Sequence, residues 1–454
     1  MLLLTCLKKR VLRAPVPAVK AFRYGFERYK AFMDLALNST AIPDEPFAIA
    51  YSGGGDSTAL LYALRKKNPF VFIVDHGLRL GSAPEAVAAK RFAAGLGLRA
   101  QILTWSPGAI QSGLQAKARR ARYRLLGQAC RAAGLRCLLT GHTEDDQAET
   151  VLMRLRAGGN WRGGAAMAAL TPSPLWPELA EIEICRPMLG ASRADIRQYL
   201  EAHKLNFMDD PSNENRGFAR IRARDELAAK PWLRRDMLHL SRDMQAARSQ
   251  EATRLKHEFK RCVSADEFGN IYLTTLPSRQ LISRLICAVS GTDEKPRDEA
   301  LLRLRRAMEV PKFKSASLGG AIFSADKKGW LISRDSVVAQ GRDGVAALAK
   351  APFAGRILWD GRFWIEGGGE VSPTGEQWID APKPLKAAIM LCPARARSSL
   401  PHWTRGDEIV AIGPYDVNGG LHKQVKSAVS SRLEREFTGR NPQTRLTRTN
   451  VCKI

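Results

Sequence analysis

The chain has 454 residues, 45% hydrophobic and 26% charged, which is typical of a globular protein with two to four domains and excludes a small disulfide-stapled scaffold. Lys and Arg number 71 against 45 Asp and Glu, so the formal net charge is +26. This excess favours a nucleic acid partner, since phosphates contacted by cationic side chains release condensed counterions. An anionic membrane surface and a general basic bias are the alternatives.

The cysteines and the N-terminal segment bear on compartment. Eight cysteines are scattered without a C-x-x-C pair, which predicts reduced, mostly packed thiols in a cytoplasmic protein. No window approaches 18 uninterrupted apolar residues, so no membrane-spanning helix is expected. Residues 1–32 are basic, with Glu27 as their single acid. A transit peptide is one interpretation of this segment, and a signal peptide is another that the sequence supports only weakly. We prefer a basic extension that need not be native, with Met33 as a candidate start.

From residue 47 onward, short apolar strands alternate with helical patterns. The predicted strands and the helices that follow them are 47–51 and 58–67, 70–75 and 84–95, 99–105 and 115–133, and 137–140 and 145–157. This alternation predicts an α/β fold of the Rossmann-like kind, a parallel sheet with helices on both faces. Ligands bind such sheets beyond the carboxyl ends of the strands.

The remainder of the chain gives weaker patterns. Residues 158–187 are rich in Gly, Ala and Pro and are predicted to form a long loop that lines a site or docks a partner. Ser192 and Asp195 are spaced as at a helix N-terminus. Residues 225–261 are predicted to be helical and basic. A linker is expected at 341–352, followed by a small β-rich domain.

The turn after the first strand predicts a phosphate-binding loop. It consists of Ser52, Gly53, Gly54, Gly55, Asp56 and Ser57. Glycines let main-chain N–H groups approach an anion, and the following helix directs its positive dipole end at the same point. The loop is neither a Walker A loop nor a G-x-G-x-x-G motif. Because an acid in a phosphate cradle repels its ligand unless a cation intervenes, Asp56 predicts a bridging Mg²⁺. A Gly-rich turn capped by Ser57 is the plain alternative.

A second polar group follows the fourth strand. Asp145, Asp146 and Glu149 begin a helix, with Asp145 and Glu149 on one face. Acids there can simply stabilise the helix dipole, by about 0.3–1 kcal/mol each. Because this helix starts at the same sheet edge as the phosphate loop, we predict a carboxylate cluster for Mg²⁺ and the ammonium of an amine substrate.

Further polar residues lie at strand ends. His142 follows the fourth strand, and His76 follows Asp75 at the end of the second. Both histidines are candidates for contact with a nucleotide or base. The alternatives are histidines satisfied by loop contacts and a local capping role for Asp75.

These motifs resemble the tRNA(Ile)-lysidine synthetase family of the N-type ATP pyrophosphatase superfamily. S-G-G-x-D-S at 52–57 is the superfamily's loop signature, and D-H-x-L-R at 75–79 is similar to the family's second motif. The later similarities, in family order, are A-R-x-x-R-Y at 118–123, H-x-x-D-D-x-x-E-T at 142–150, Arg186-Pro187-Met188, Asp210-Pro211-Ser212-Asn213, and Arg220 with Arg222 and Arg224. The resemblance covers about 47–227. It departs at Gln115, where the family has Glu, and in the spacing of the basic residues around Ile221.

The resemblance implies an ATP-dependent ligase that joins L-lysine to C2 of the wobble cytidine of the tRNA(Ile) with anticodon CAU. The reaction passes through an adenylated cytidine, releases AMP and pyrophosphate, and switches the tRNA from methionine to isoleucine identity. ATP and Mg²⁺ are the implied cofactors, and a homodimer is left open. The nearest rival is a 2-thiolation enzyme on the same fold, which needs a persulfide-bearing cysteine or an iron–sulfur cluster.

The resemblance also assigns regions and roles. It implies a catalytic domain at 33–227. Beyond it, the basic helical pattern and the β-rich pattern predict a helical tRNA-binding region at 228–345 and a tRNA-contacting C-terminal domain at 346–454. Arg119 and Arg122 share a helix face, where they can neutralise phosphate charge or form a solvated basic surface. The expected roles are as follows: Ser52, Gly53, Gly54, Gly55, Asp56, Ser57, Asp75, His76 and His142 bind ATP; Asp56 and Asp146 hold Mg²⁺; Arg119 stabilises the transition state; Glu149 and Asp145 orient lysine; and Arg122, Arg220 and Arg222 contact substrate.

Overall fold

The computed structural model describes residues 42–77, 81–106, 114–208, 219–327, 329–340, 348 and 350–438. Two compact units interleave along the chain: unit 1 draws on Met1–Ala109, Cys137–Leu170 and Cys185–Ser241, and unit 2 on Ile110–Arg136, Thr171–Ile184 and Arg242–Ile454. Each unit is thus assembled from segments that are distant in sequence. Within the described ranges, no helix has the length and apolar character needed to cross a membrane.

Helices and strands alternate up to residue 156 and form mixed groups beyond it. The helices are α1 Gly55–Leu64, α2 Ser82–Gly95, α3 Leu114–Ala132, α4 Glu144–Arg156, α5 Trp161–Gly164, α6 Arg193–Ala202, α7 Ala219–Ala229, α8 Pro231–Cys262, α9 Arg279–Ser290, α10 Asp298–Met308, α11 Ser336–Gln340, α12 Lys383–Met390, α13 Ala394–Arg397 and α14 Val429–Thr438. The strands are β1 Phe47–Ala50, β2 Phe70–Asp75, β3 Ala100–Thr104, β4 Cys137–Leu139, β5 Leu170–Pro172, β6 Glu183–Cys185, β7 Val263–Ala265, β8 Ile271–Leu273, β9 Ser315–Leu318, β10 Ala321–Asp326, β11 Gly329–Arg334, β12 Ala351–Trp359, β13 Phe363–Pro373, β14 Pro401–Arg405, β15 Glu408–Ile412, β16 Tyr415–Asp416 and β17 Val425–Ser427.

The parallel sheet predicted from the sequence is confirmed. Its strand order is β3-β2-β1-β4, continued by β6 and β5, and β1 pairs in parallel with both β2 and β4. Ile49 of β1 lies opposite Val71 of β2 and Leu139 of β4, and all three side chains are fully buried. Continuous apolar strands of this kind are stable only when both faces of a sheet are covered. The polar residues that follow β1 and β4 therefore emerge at one edge of the sheet.

Two helices of unit 1 begin with capping boxes at this edge. The Thr143 hydroxyl accepts a hydrogen bond from the Asp146 backbone N–H at the start of α4, and the Asp146 carboxylate accepts one from the Thr143 N–H. Ser192 and Asp195 make the same exchange at the start of α6, so the helix start predicted there is confirmed. The Glu144 N–H also donates to the Ala191 carbonyl over 2.9 Å, which holds the two helix starts together. Capping boxes satisfy amide groups that would otherwise lack partners.

Residues 158–187 do not form the long loop that the sequence predicts. The segment contains the short helix α5 and the strands β5 and β6. The side-chain amide of Gln147 binds the Met167 backbone in both directions, donating over 2.7 Å and accepting over 2.9 Å. The many Gly and Pro residues in the segment hid these elements, because each element is only three or four residues long.

Unit 2 contains two antiparallel sheets. One has the order β7-β8-β11-β10-β9, and the other has the order β12-β13-β14-β15-β16 with β17 beside β13. The β-rich C-terminal part of the predicted fold is therefore confirmed. The region at 228–345, predicted to be helical, holds α8, α9, α10 and α11 but also the entire first sheet. Its strands span three to six residues, too few to show a clear alternation of apolar and polar side chains.

Early segments of the chain complete unit 2. Arg120 of α3 binds Glu178 and Asp293, each over 2.7 Å. The indole N–H of Trp176 donates to the Gly361 carbonyl over 2.7 Å, although these residues are 185 positions apart. The second unit therefore cannot close before most of the chain is present.

Candidate active site

The loop after β1 is held in shape by its two serines. Ser57 Oγ donates to the Gly54 carbonyl over 2.9 Å and accepts from the Ser52 backbone N–H over 3.2 Å. Gly53 has φ +82°, and a β-carbon there would lie 1.8 Å from Met208 Cε. Gly54 is the N-cap of α1, so the loop opens directly into a helix N-terminus. Such a loop presents backbone N–H groups and the positive end of a helix dipole to an anion.

Three carboxylates of unit 1 converge on one guanidinium. Nη2 of Arg193 lies 2.5 Å from Oδ1 of Asp146, and Nη1 lies 2.6 Å from Oε1 of Glu149. Nε of the same side chain lies 3.7 Å from Oδ2 of Asp56 in the phosphate loop. Asp146 and Glu149 are 5% and 1% exposed, so their charges depend on these partners rather than on water. The structure thus brings the loop acid and the acids of α4 together, as the strand-end argument predicts.

Two arginines of α7 reinforce the same acids. Nη2 of Arg220 lies 2.8 Å from Asp146 Oδ1, and its Nε lies 2.8 Å from Glu149 Oε2. Nε of Arg224 lies 3.0 Å from Glu149 Oε1. Glu149 therefore receives three guanidinium groups, which accounts for a fully charged carboxylate in a buried position.

The remaining acids at the start of α4 pair with α8 and α6. Arg234 contacts Glu144 through Nη2 at 2.8 Å and Asp145 through Nε at 3.0 Å. The other oxygen of Asp145 accepts a 2.7 Å hydrogen bond from the backbone N–H of Arg193. Both oxygens of Asp145 accept hydrogen bonds, so this residue of α4 links its helix to α6 and α8.

The pKa values of Asp56 and Glu149 are shifted in opposite directions. Burial raises the pKa of Asp56 to about 6, and the charge of Arg193 only partly opposes this effect. Burial also acts to raise the pKa of Glu149, but hydrogen bonds and charge from Arg193 and Arg220 outweigh it, so that the net shift is downward. Glu149 is therefore a fixed negative charge, whereas Asp56 lacks sufficient neutralising partners.

The donor set suits Mg²⁺ at Asp56 better than at Asp146. Among the described residues, no group donates a hydrogen bond to the Asp56 carboxylate, so its oxygens are available to a hard cation. Asp146 Oδ2 accepts from the Thr143 N–H, and its Oδ1 already holds two guanidiniums. Within the described ranges, no three His, Cys, Asp or Glu side chains form a metal cluster. A magnesium ion would thus need nucleotide oxygens, and Asp146 would join only by exchanging an arginine.

The other predicted residues of unit 1 lie at strand ends or on α7. His142 Nδ1 is 2.8 Å from the Thr140 hydroxyl. The Asp75 carboxylate accepts a hydrogen bond from the Gly77 N–H over 3.0 Å, and His76 lies between these two residues. Arg222 is exposed on α7. The motif residues Arg79 and 210–213 lie outside the described residues.

The basic helix α3 belongs to unit 2. Arg119 is exposed and Arg122 is half-buried, and their guanidiniums lie 5.1 and 5.4 Å from the ring centre of Tyr123. Tyr123 itself is buried. Cation–π contacts of this kind hold both arginines on one side of the helix.

Sequence reasoning missed Arg193 and Arg234. Arg193 occupies the first helical position after the cap Ser192, where the helix dipole disfavours a cation. An arginine placed there without evident benefit to the helix was the available signal of an acidic partner. Arg234 carried no such signal, because basic residues are abundant throughout α8.

The chain is similar to several known proteins. Residues 28–230 match a family model described as a PP-loop domain. A tRNA(Ile)-lysidine synthase of Hyphomonas neptunium is 36% identical over 66% of this chain and 85% of the relative. The enzyme of that name from Caulobacter vibrioides is 36% identical over 75% of this chain and 78% of the relative. A solved U34-tRNA thiolase from Methanococcus maripaludis aligns with TM-score 0.41 and 16% identity over 48% of this chain and 80% of that one. The extended identity to the first two relatives shows that this chain belongs to the tRNA(Ile)-lysidine synthase family of ATP-using ligases.

Proposed function

We propose that this chain joins L-lysine to C2 of the wobble cytidine in the tRNA(Ile) with anticodon CAU, at the expense of ATP. The observation that carries the proposal is the junction of Asp56, in the phosphate loop, with the acids Asp146 and Glu149 through one guanidinium. Joining an amine to an ATP-activated group requires a loop that binds the triphosphate. It also requires nearby carboxylates that can bind Mg²⁺ and the ammonium of the amine. The relatives named as tRNA(Ile)-lysidine synthases support this choice of substrates.

The chemistry proceeds in two displacements. The C2 oxygen of cytidine attacks the α-phosphorus of ATP, and the bond to pyrophosphate breaks. The ε-amine of lysine then attacks C2, and the oxygen leaves as part of AMP. Adenylation is needed because the unmodified C2 oxygen is a poor leaving group. The attacking amine must be neutral, so a nearby carboxylate accepts its proton.

The residues of unit 1 divide these tasks. The loop 52–57 binds the phosphates, with Asp75, His76 and His142 around the nucleotide. Mg²⁺, held by Asp56 with Asp146, would neutralise phosphate charge when bound. Asp145 and Glu149 orient lysine. The lysine ammonium can take the place of Arg234 at Asp145 and of Arg224 at Glu149, so that one cation replaces another.

Arginines supply the complementary charge. Arg119 stabilises the developing phosphate charge, and Arg122, Arg220 and Arg222 contact the tRNA substrate. The exposed positions of Arg119 and Arg222 support these roles. The regions 228–345 and 346–454 contribute further tRNA contacts, a proposal supported by the net charge of +26.

The test is a lysine-incorporation assay. Labelled lysine, ATP and an unmodified transcript of the CAU-anticodon isoleucine tRNA should give labelled RNA and AMP in equal amounts. The tRNA(Met) that shares the anticodon should give neither. Asp56→Ala should abolish AMP formation while tRNA retention on a filter persists, and Asp44→Ala, at an exposed acid of the same unit, should behave as wild type.

Two outcomes would contradict the proposal. Absence of incorporation into either tRNA by folded wild-type protein would refute the ligase reaction, and near wild-type turnover by Asp56→Ala would refute the magnesium role. Transfer of sulfur in place of lysine would point to the thiolase alternative. The described cysteines argue against that alternative, because all of them are buried.

A further inference from the structure

We infer that Arg193 is a positioning residue for this reaction, holding Asp56, Asp146 and Glu149 in one arrangement through a single guanidinium. The inference rests on the proposed function, because it assigns a role toward the acids that the ligation uses. Its three nitrogens face three different carboxylates, at 3.7, 2.5 and 2.6 Å. A planar guanidinium with fixed N–H directions sets the relative positions of its partners, whereas an ammonium would supply only charge.

Arg193 is itself firmly fixed. Its backbone N–H donates to Asp145 over 2.7 Å, and the preceding Ser192 closes a capping box with Asp195. The Glu144 N–H binds the Ala191 carbonyl, so the chain on both sides of Ser192 is tied down. The side chain is largely buried, with 22% exposure. The guanidinium of Arg193 is thus anchored on a rigid backbone, and its contacts with the acids can hold them rigidly in place.

Other arginines do not duplicate this role. Arg220 and Arg224 contact the acids of α4, but in the described part of the chain Arg193 is the single cation within ion-pair distance of Asp56. Arg193 therefore links the phosphate loop to the cluster on α4. Without Arg193, each acid would stay on its own helix or loop, but the positions of the acids relative to one another would no longer be fixed. Such a change lowers kcat more than it weakens substrate binding.

The experiment compares Arg193→Gln, Arg193→Lys and Arg197→Gln in the full chain with ATP, lysine and the CAU transcript. Arg197 is an exposed arginine one turn later on α6 and serves as the matched control. We expect Arg193→Gln to lower kcat about 100-fold, the order of effect expected for misplaced catalytic groups. KM for tRNA should change less than about threefold, because no tRNA contact is assigned to Arg193. Arg193→Lys should recover about tenfold of the loss, since it restores charge without the fork.

Protein stability is measured in parallel by thermal unfolding. If Arg193→Gln is folded at the assay temperature and retains kcat within about threefold of wild type, the inference is wrong. It is also wrong if Arg193→Lys is fully active, because charge alone would then suffice, or if the loss lies entirely in KM for tRNA. Wild-type protein inactive toward lysine and the CAU transcript would instead overturn the proposed function, which keeps the two failures distinct.

Discussion

Gly141 packs directly against the backbone of Asp56. A β-carbon at position 141 would lie 3.1 Å from the carbonyl carbon and oxygen of Asp56 and 3.1 Å from the Ser57 nitrogen. These separations are shorter than ordinary van der Waals contacts, and the neighbours are main-chain atoms of the phosphate loop. Gly141, two residues after the end of β4, therefore supports the loop that follows β1.

Gly141→Ala should consequently displace the phosphate loop by a few tenths of an ångström. We expect kcat/KM for ATP to fall several-fold, since a full 1 Å misplacement can cost about 100-fold. Gly95→Ala is the control, because a β-carbon there meets nothing within 4 Å. That control should keep wild-type kinetics and gain about 0.5–1 kcal/mol in stability from the better helix former. Equal kinetics for the two variants would contradict the supporting role of Gly141.

Asp56→Asn should change the pH dependence of stability in the ligand-free protein. The pKa of Asp56 is raised from 3.8 to about 6, so the folded protein holds this proton more tightly than the unfolded chain. The buried charge therefore costs wild-type stability above pH 6, and the cost disappears as the pH falls through 6 toward 4. The side chain is one-third exposed, so we expect a gain of about 1 kcal/mol for Asp56→Asn at pH 7.5.

Urea unfolding of both proteins at pH 7.5 and pH 4 measures this difference. At pH 4 the gain should shrink toward zero, because most of the wild-type carboxyl is then neutral in the folded state. A gain that is the same at both pH values would show that the pKa of Asp56 is not raised.

Asp145→Ala should destabilise unit 1. The change leaves the backbone N–H of Arg193 and the Nε–H of Arg234 without their acceptor oxygens. Loss of an acceptor from partly buried donors costs about 1–3 kcal/mol. Asp145→Asn, which keeps one acceptor oxygen, should lose less than half as much in chemical denaturation. Equal losses for Ala and Asn would mean that the hydrogen bond to α6 is not what the carboxylate contributes.

The buried cysteines should be unreactive in the folded protein. Burial raises the pKa of Cys130 and of Cys392 to about 12, which removes the nucleophilic thiolate at neutral pH. In a Cys6→Ser/Cys452→Ser background, an aromatic disulfide reagent should label none of the remaining thiols within minutes in native buffer. In denaturant it should label all of them. The six thiols concerned are Cys130, Cys137, Cys185, Cys262, Cys287 and Cys392. Rapid labelling of any of them in native buffer would show that its segment opens.

Local pattern accounts for what could be predicted of the fold and the candidate site. The apolar run of β1, the Gly-rich turn and the start of α4 are each visible within about ten residues, and parallel strands bring their carboxyl ends to one edge. The proximity of Asp56 to Asp146 followed from that rule alone. The S-x-x-D spacing at Ser192 likewise located the start of α6.

Tertiary pairing accounts for what could not be predicted. Arg193 reaches Asp146 and Glu149 from 47 and 44 residues away, and nothing in its neighbourhood specifies those partners. The sheet formed by β7 to β11 was missed because its strands are short and become stable only through pairing with one another. The acids were visible in the sequence, but Arg193 and Arg234, which pair with them, were not.

The interleaving of the two units bears on the order in which this polypeptide acquires its structure during translation. Trp176 leaves the ribosome 185 residues ahead of its hydrogen-bond partner Gly361, an interval of roughly 10 s or more at about 5–20 residues per second. The helix that carries Arg120 must likewise wait for Asp293. Nascent chains therefore expose these early segments while the later sheets are still being made. A fragment ending near Ser241 would leave Trp176 without Gly361 and Arg120 without Asp293.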